Sequence, residues 1–166
     1  MKSFATSILM LLAVALVGCS QVSVNQNYDP EFDFSGYKTY QVAPYDASMG
    51  FDEITYGQVK RAVEDNLNAK GLKETDTSPD FSVEFASAKQ RQTEINQMGP
   101  GWWNTDVYQY EEGTLLVDVK DAKSGKLVWR GTGQGELPDN PSMEQRQEMI
   151  GSTISKLLAP FPPKTK

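Results

Sequence analysis

Few residues in this chain have the chemistry of a nucleophile, a metal ligand or a proton carrier. There is one cysteine, Cys19, and no histidine among 166 residues. Without imidazole there is no Ser-His-Asp or Cys-His nucleophile pair and no histidine metal ligand. A single thiol closes neither an intramolecular disulfide nor a thiolate zinc site. Carboxylates remain, and Asp29, Asp33, Glu111, Glu112 and Asp118 are the candidates for an acid–base pair of the kind glycosidases use. Such a pair needs a cleft and a set separation. Glu111 and Glu112 are adjacent and should face opposite sides of a strand, which disfavours joint action. A solvated surface is the bland account of all five. Asp29, Glu31 and Asp33 alternate as in a calcium loop, but the position that must be glycine falls on Phe34, so an EF-hand is rejected. Gly131-Thr132-Gly133-Gln134-Gly135 lacks the Gly-Lys-Ser/Thr ending of a phosphate loop and reads better as strand glycines. Neither cofactor nor metal is expected. With 16 Lys+Arg against 22 Asp+Glu and a pI near 4.7, the chain has no basic footprint for nucleic acid.

The cysteine stands apart because its neighbours give it a task. Lys2 precedes Phe4 to Val17, an apolar stretch interrupted only by Thr6 and Ser7. That is the length of a signal-peptide core and short of the roughly 20 apolar residues of a membrane span. It ends in Leu16-Val17-Gly18-Cys19, followed by the polar run Ser20-Gln21-Val22-Ser23. The order resembles the lipobox of bacterial lipoproteins: small Gly18 lets a peptidase reach the backbone, and the Cys19 thiol takes a diacylglycerol thioether. An ordinary secretory signal with an incidental Cys, or a buried core Cys, is the alternative. Cleavage before Cys19 would remove residues 1–18 and leave 148 residues, 19–166, as a single domain on a short tether. Loss of Lys2 would move the net charge from −6 to −7. The only added group would be covalent lipid on Cys19, with palmitate among its acyl chains. Ser20, not Asp, follows the cysteine. By resemblance to the sorting rule of enteric bacteria, this favours the outer membrane, at its periplasmic face.

Gln97-Met98-Gly99-Pro100-Gly101-Trp102-Trp103-Asn104 is the other unusual stretch. Gly-Pro-Gly marks a reversal, as at the tip of a long hairpin formed by residues near 81–95 and 106–120. Trp102 and Trp103 cannot both face inward from an extended chain. They are candidates for contact with a partner or a membrane interface. The alternative tucks one against the sheet and leaves the other on a variable loop.

These residues need a scaffold. Val22 and Val24 alternate as in a short half-buried strand, and Tyr37 to Val42 forms a second. Asp52 can cap a helix whose stripe is Ile54, Val59, Ala62, Val63 and Leu67, with Gly71 as its stop. Phe81, Val83 and Phe85 alternate inward in a third strand, and Leu115, Val117 and Val119 in a fourth. Leu127 and Trp129 face inward in a fifth, with Val128, Arg130 and Thr132 on its other side. The glycines at 131, 133 and 135 mark where a helix lies close to the sheet. Ser142 and Gln145 form a capping box for a last helix carrying Met143, Arg146, Ile150, Ile154, Leu157 and Leu158 on one side. Pro160 stops it, and Phe161 folds back onto the core. The order strand, strand, helix, three strands, helix implies an α+β two-layer sandwich. In it a mainly antiparallel five-stranded sheet carries both helices on one face. The other face, with Ser82, Glu84, Asp118, Arg130 and Gln134, should be wet.

Three segments resemble a known lipoprotein family, domain of unknown function 4136. They are Tyr28-Asp29 with Asp33-Phe34-Ser35-Gly36-Tyr37-Lys38-Thr39-Tyr40, then Pro79-Asp80-Phe81. The third is the hairpin Gly113 to Asp118 with Ala122 to Gly131, and the ending Phe161-Pro162-Pro163 also fits. Val42 departs from the pattern, since relatives often carry Trp there. The resemblance implies a bacterial envelope lipoprotein and brings no catalytic residue with it. The expectation is therefore a non-catalytic binding or structural component of the envelope. Its partners would be the membrane, through acyl chains, and an envelope protein, lipid or glycan, with no nucleic acid. A carboxylate-dependent envelope hydrolase is the alternative.

Overall fold

The computed structural model describes residues 22–97 and 105–164 of the chain. In chain order the elements are β1 (Ser23–Tyr28), β2 (Thr39–Val42), α1 (Glu53–Ala69), β3 (Lys73–Glu74), β4 (Phe81–Gln97), β5 (Thr105–Asp121), β6 (Leu127–Leu137) and α2 (Met143–Leu158). Short 3-10 turns lie at Phe34–Gly36 and Ala47–Met49. One sheet holds all six strands in the order β1-β6-β5-β4-β2-β3.

The α+β class stands, but the sheet has six strands and is mixed, where the sequence predicts five and mainly antiparallel. The departure comes from α1. A helix between two strands is the connection that lets them run parallel. The chain accordingly leaves β2, crosses through α1 and returns as β3, parallel to β2 with Thr39 opposite Lys73. It then passes to the other side of β2 as β4, again parallel, with Tyr40 opposite Phe81. β3 has two residues, too few for an alternating pattern to be visible in the sequence. The remaining pairings, β1–β6, β6–β5 and β5–β4, are antiparallel.

Both helices contribute to one core on one sheet face. Asp52 caps α1 by accepting from the Thr55 N–H at 2.8 Å, and Tyr56, Val59, Val63 and Leu67 are buried. Ile54, expected on this stripe, is 74% exposed. It lies two residues, about 200° around the helix, from Tyr56, which takes the inward place instead. The Tyr56 hydroxyl donates to the Ala43 carbonyl at 2.6 Å. Gly71, at φ 85°, ends the helix in the left-handed conformation glycine favours. The capping box of α2 forms: the Ser142 hydroxyl accepts from Gln145 N, and the Gln145 side chain accepts from Ser142 N. Ile150, Ile154, Leu157 and Leu158 are buried beneath α2, each worth about 1.5–3 kcal/mol of removal from water. Met143, at the first helical position, stays 67% exposed, because side chains there lean back past the helix end.

The inner sheet face presents Phe81, Val83, Phe85, Val117, Val119 and Trp129, all buried. Here the β6 alternation differs from expectation: Val128 is buried with Trp129, and Leu127 is 44% exposed. A bulge causes it. Val119 faces Trp129 while Lys120 faces Leu127, so Val128 is an extra residue that breaks the two-residue period. β1 is an edge strand with one neighbour, and its Val24 remains 44% exposed instead of half-buried as predicted. The opposite face is polar, as expected. Asp118 takes a bidentate pair from Arg130, with both bonds 2.6 Å long, and Lys120 donates to Glu84 at 2.7 Å.

Beyond the point where Glu111 pairs with Leu137, β6 ends, and β4 and β5 continue alone. The pairs from Gln92–Tyr110 to Gln97–Thr105 form a two-stranded arm, about 20 Å long at 3.3–3.4 Å per residue.

Candidate functional site

Most motif residues pack one end of the sheet. The Asp80 carboxylate accepts from the Lys38 and Thr39 N–H groups at 2.9 and 2.8 Å and from the Thr39 hydroxyl at 2.9 Å. These bonds hold its pKa below the ordinary carboxylate range. Asp33 caps the first 3-10 turn through Ser35 N, and Phe34 beside it is buried. Tyr37 stacks on Phe81 at 4.6 Å, and burial, then the Asp121 carboxylate, push its hydroxyl pKa up. Burial first, then Glu74 nearby, brings Tyr40 up to about 12. Phe161 does fold back, meeting Trp129 edge-on at 5.2 Å and Phe81 at 5.6 Å. Trp129 is core, its indole N–H donating to Gln26 Oε1 at 3.1 Å.

A concavity opens at the opposite end, toward the arm. It is a groove of about 480 Å³ between the first turns of α1 and α2 and the inner face of β4, β5 and β6. Phe51, Val59, Leu115, Met149 and Ile150 give it an apolar lining, while Asp52, Lys89, Glu111 and Arg146 stand among its charged residues. Glycine shapes its floor. A Cβ on Gly133 would sit 2.9 Å from the Thr153 methyl and 3.4 Å from Leu157 Cδ1, so α2 rests where a side chain would otherwise be. At Gly113 the corresponding space is taken by Leu137, 2.7 Å away. Val22, just before β1, forms part of the groove wall.

The candidate carboxylates do not converge. Asp29 accepts from Glu31 N in its own turn, and Asp33 caps a turn at the motif end. Asp118 is committed to Arg130 on the outer face. Glu112 accepts from Gln92 at 3.0 Å on that same face, while Glu111 alone of the five lines the groove. The opposed directions of Glu111 and Glu112 follow the strand period, as the sequence implied. Asp52, which shares the groove with Glu111, is tied to its capping role, and its hydrogen bonds to Thr55 lower its pKa. Every resolved carboxylate shift among the described residues is downward, at Asp33, Asp46, Asp52, Asp80, Asp121 and Glu144. A general acid working near neutral pH needs the reverse. Among the described residues no cluster of three metal-ligating side chains occurs, and no helix is long and apolar enough to cross a membrane.

Leu16, Val17, Gly18, Cys19, Trp102 and Trp103 lie outside the described residues. The groove itself was not foreseen from the sequence. Its lining comes from six separated segments, and its one legible signal was the run of strand glycines read as a close helix approach.

A family model described as a domain of unknown function, DUF4136, matches residues 24–163. Comparison with curated proteins finds no match in sequence. Among solved structures the fold resembles a PDZ domain protein from Parabacteroides distasonis, with TM-score 0.63 and 13% identity over 88% of this chain. The chain spans 37% of the length of that protein. It also resembles the PelC dodecamer from Paraburkholderia phytofirmans, with TM-score 0.54 and 15% identity over 86% of this chain and 99% of that one. At these identities the likeness is one of fold.

Proposed function

We propose, from the premise that this chain belongs to the DUF4136 family, that it is a lipoprotein anchored through Cys19. In this reading it is a non-catalytic binding component of the bacterial envelope, facing the periplasm from the outer membrane. The observation that carries this reading is the position of Val22. It lines the groove and stands three residues after Cys19. Three extended residues reach at most about 10 Å, so an acyl anchor on Cys19 would hold the groove close to the bilayer. A groove with an apolar lining and charged residues of both signs suits an amphipathic envelope molecule or peptide segment better than a small ion. The net charge of −7 after processing gives the protein surface little affinity for anionic headgroups, which leaves attachment to the acyl chains. Trp102 and Trp103 are the proposed second contact with a partner or the interface. The alternative, a carboxylate-dependent hydrolase, gains no support from carboxylates that are dispersed or tied to caps and ion pairs.

Labelling cells with radioactive palmitate tests the anchor. The wild type should carry label and fractionate with the outer membrane, while Cys19→Ser should lose both. Label retained on the serine variant overturns the reading. Crosslinking in the native envelope followed by mass spectrometry identifies the partner, and Trp102→Ala/Trp103→Ala should reduce its yield.

A further inference from the structure

The groove leaves apolar surface uncovered at the place where the chain enters the sheet. Val59 and Ile150 are buried at its base, while Phe51, Leu115, Leu137 and Met149 along its sides are only half-buried. Its charges do not select a charged ligand. Asp52 is committed to the Thr55 cap, and Glu136 accepts from the Tyr108 hydroxyl at 2.6 Å. That leaves Lys89 and Arg146 against Glu111 and Asp139, two of each sign. An anion or a cation entering the groove would meet repulsion along with attraction. An uncharged apolar chain is indifferent to that balance and gains from the lining. At roughly 30 Å³ per carbon, the space one water takes in the liquid, a single palmitoyl-sized chain matches the groove's volume of about 480 Å³. Val22 stands in the groove wall, one residue before Ser23 pairs with Gln134 of β6. Cys19 is three residues earlier, within about 10 Å of that wall.

We propose that the groove seats one acyl chain of the lipid on this protein's own Cys19. The seat presupposes that Cys19 is lipidated, as in the function proposed above, and it gives the groove its occupant. Tethering favours the attached chain over free lipid. A short link raises the effective concentration of a tethered group to the order of millimolar, so a groove with weak affinity for fatty chains is filled by the one fixed beside it. The bilayer competes for the same chain, and either place removes it from water. In the groove, however, the chain also covers Phe51, Leu115, Leu137 and Met149, so two apolar surfaces leave water together. A diacylglycerol thioether carries a pair of chains. One seated in the groove leaves its sister in the bilayer, and the glycerol they share holds the groove mouth at the headgroup level. The lipid then orients the domain as well as anchoring it, by fixing which end rests beside the membrane.

Photocrosslinking the lipid in place tests the seat. Cells expressing the full chain are fed a palmitate analogue that carries a diazirine. Their membranes are irradiated before any detergent is added, and the purified protein is mapped by peptide mass spectrometry. The analogue should sit on Cys19 and crosslink within the same chain to Leu115 and Ile150. Met149→Trp puts a larger side chain into the groove and should lower that yield at least about tenfold. Met143→Trp, on an exposed residue outside the groove lining, should leave it unchanged. Thermal melting followed by circular dichroism checks that both variants fold. A wild-type chain with no analogue on Cys19 removes the anchor and the seat with it. Analogue present on Cys19 but crosslinked only to phospholipid, or to residues away from the groove, overturns the seat and leaves the anchor standing. So does a folded Met149→Trp variant that crosslinks to Leu115 and Ile150 as well as wild type does.

Discussion

Asp80 shows how one side chain sets a strand. β2 contributes four residues and joins β4 through three register pairs, a short parallel contact. The Asp80 carboxylate, two residues into the Pro79-Asp80-Phe81 motif, gathers the two N–H groups that open β2 and the Thr39 hydroxyl. Replacing it in Asp80→Asn keeps the shape and removes the charge from these bonds. The expected loss is about 1–3 kcal/mol at pH 7, measured by urea unfolding. Its pH dependence has a fixed sign. The folded carboxyl titrates below its ordinary 3.8, so its stabilisation is complete above that value and is lost as pH falls through the folded pKa. The gap between wild type and Asp80→Asn should be full at neutral pH and narrow through pH 3. An equal gap at both would mean that shape, not charge, holds β2.

Between elements, α2 approaches β6 closely, and glycine permits it. Gly133→Val would drive a branched side chain into Thr153 and Leu157, forcing α2 outward at a cost of about 1–3 kcal/mol. Thermal melting should fall, and pairing with Thr153→Ala should recover part of the loss, since the nearest atom met is the Thr153 methyl. This approach was legible in the sequence as glycines repeating every second residue. Both helix caps and the inward Phe81-Val83-Phe85 face were legible too, because each rests on a pattern within a few residues, and the long hairpin because its two strands are consecutive in sequence. The parallel placement of β2 was not, since it depends on where a helix returns the chain. The bulge at Val128 was invisible for a related reason: an extra residue in one strand shows only against its partner. The groove combines both difficulties. Its walls are assembled by topology, and glycines, which carry no side-chain chemistry, shape its floor.

As a whole the molecule divides into a packed domain and a projection that, among the described residues, adds no buried side chain to it. Replacing Thr93–Gln109 by Asn-Gly would close the hairpin at the Gln92–Tyr110 pair with a two-residue turn suited to that geometry. The shortened chain should melt within a few degrees of wild type, about the shift that 1 kcal/mol produces, because no residue with a described buried side chain is removed. A large drop would mean that the arm supports the domain. The pairing of β1 with β6 bears on how the domain comes to exist at all. The first strand of the described chain finds its only neighbour in the last one, and Gln26 meets Trp129 across 103 residues of sequence. Closure of this kind is slow, since chain entropy is lost before distant contacts reward it. Under the proposed reading, in which the chain is threaded through a membrane from its N-terminus, the delay would be useful. β1 can emerge, wait unpaired and leave the polypeptide pliable until nearly all of it has crossed. The sheet edge nearest the proposed leader would then be sealed only when translocation is almost over.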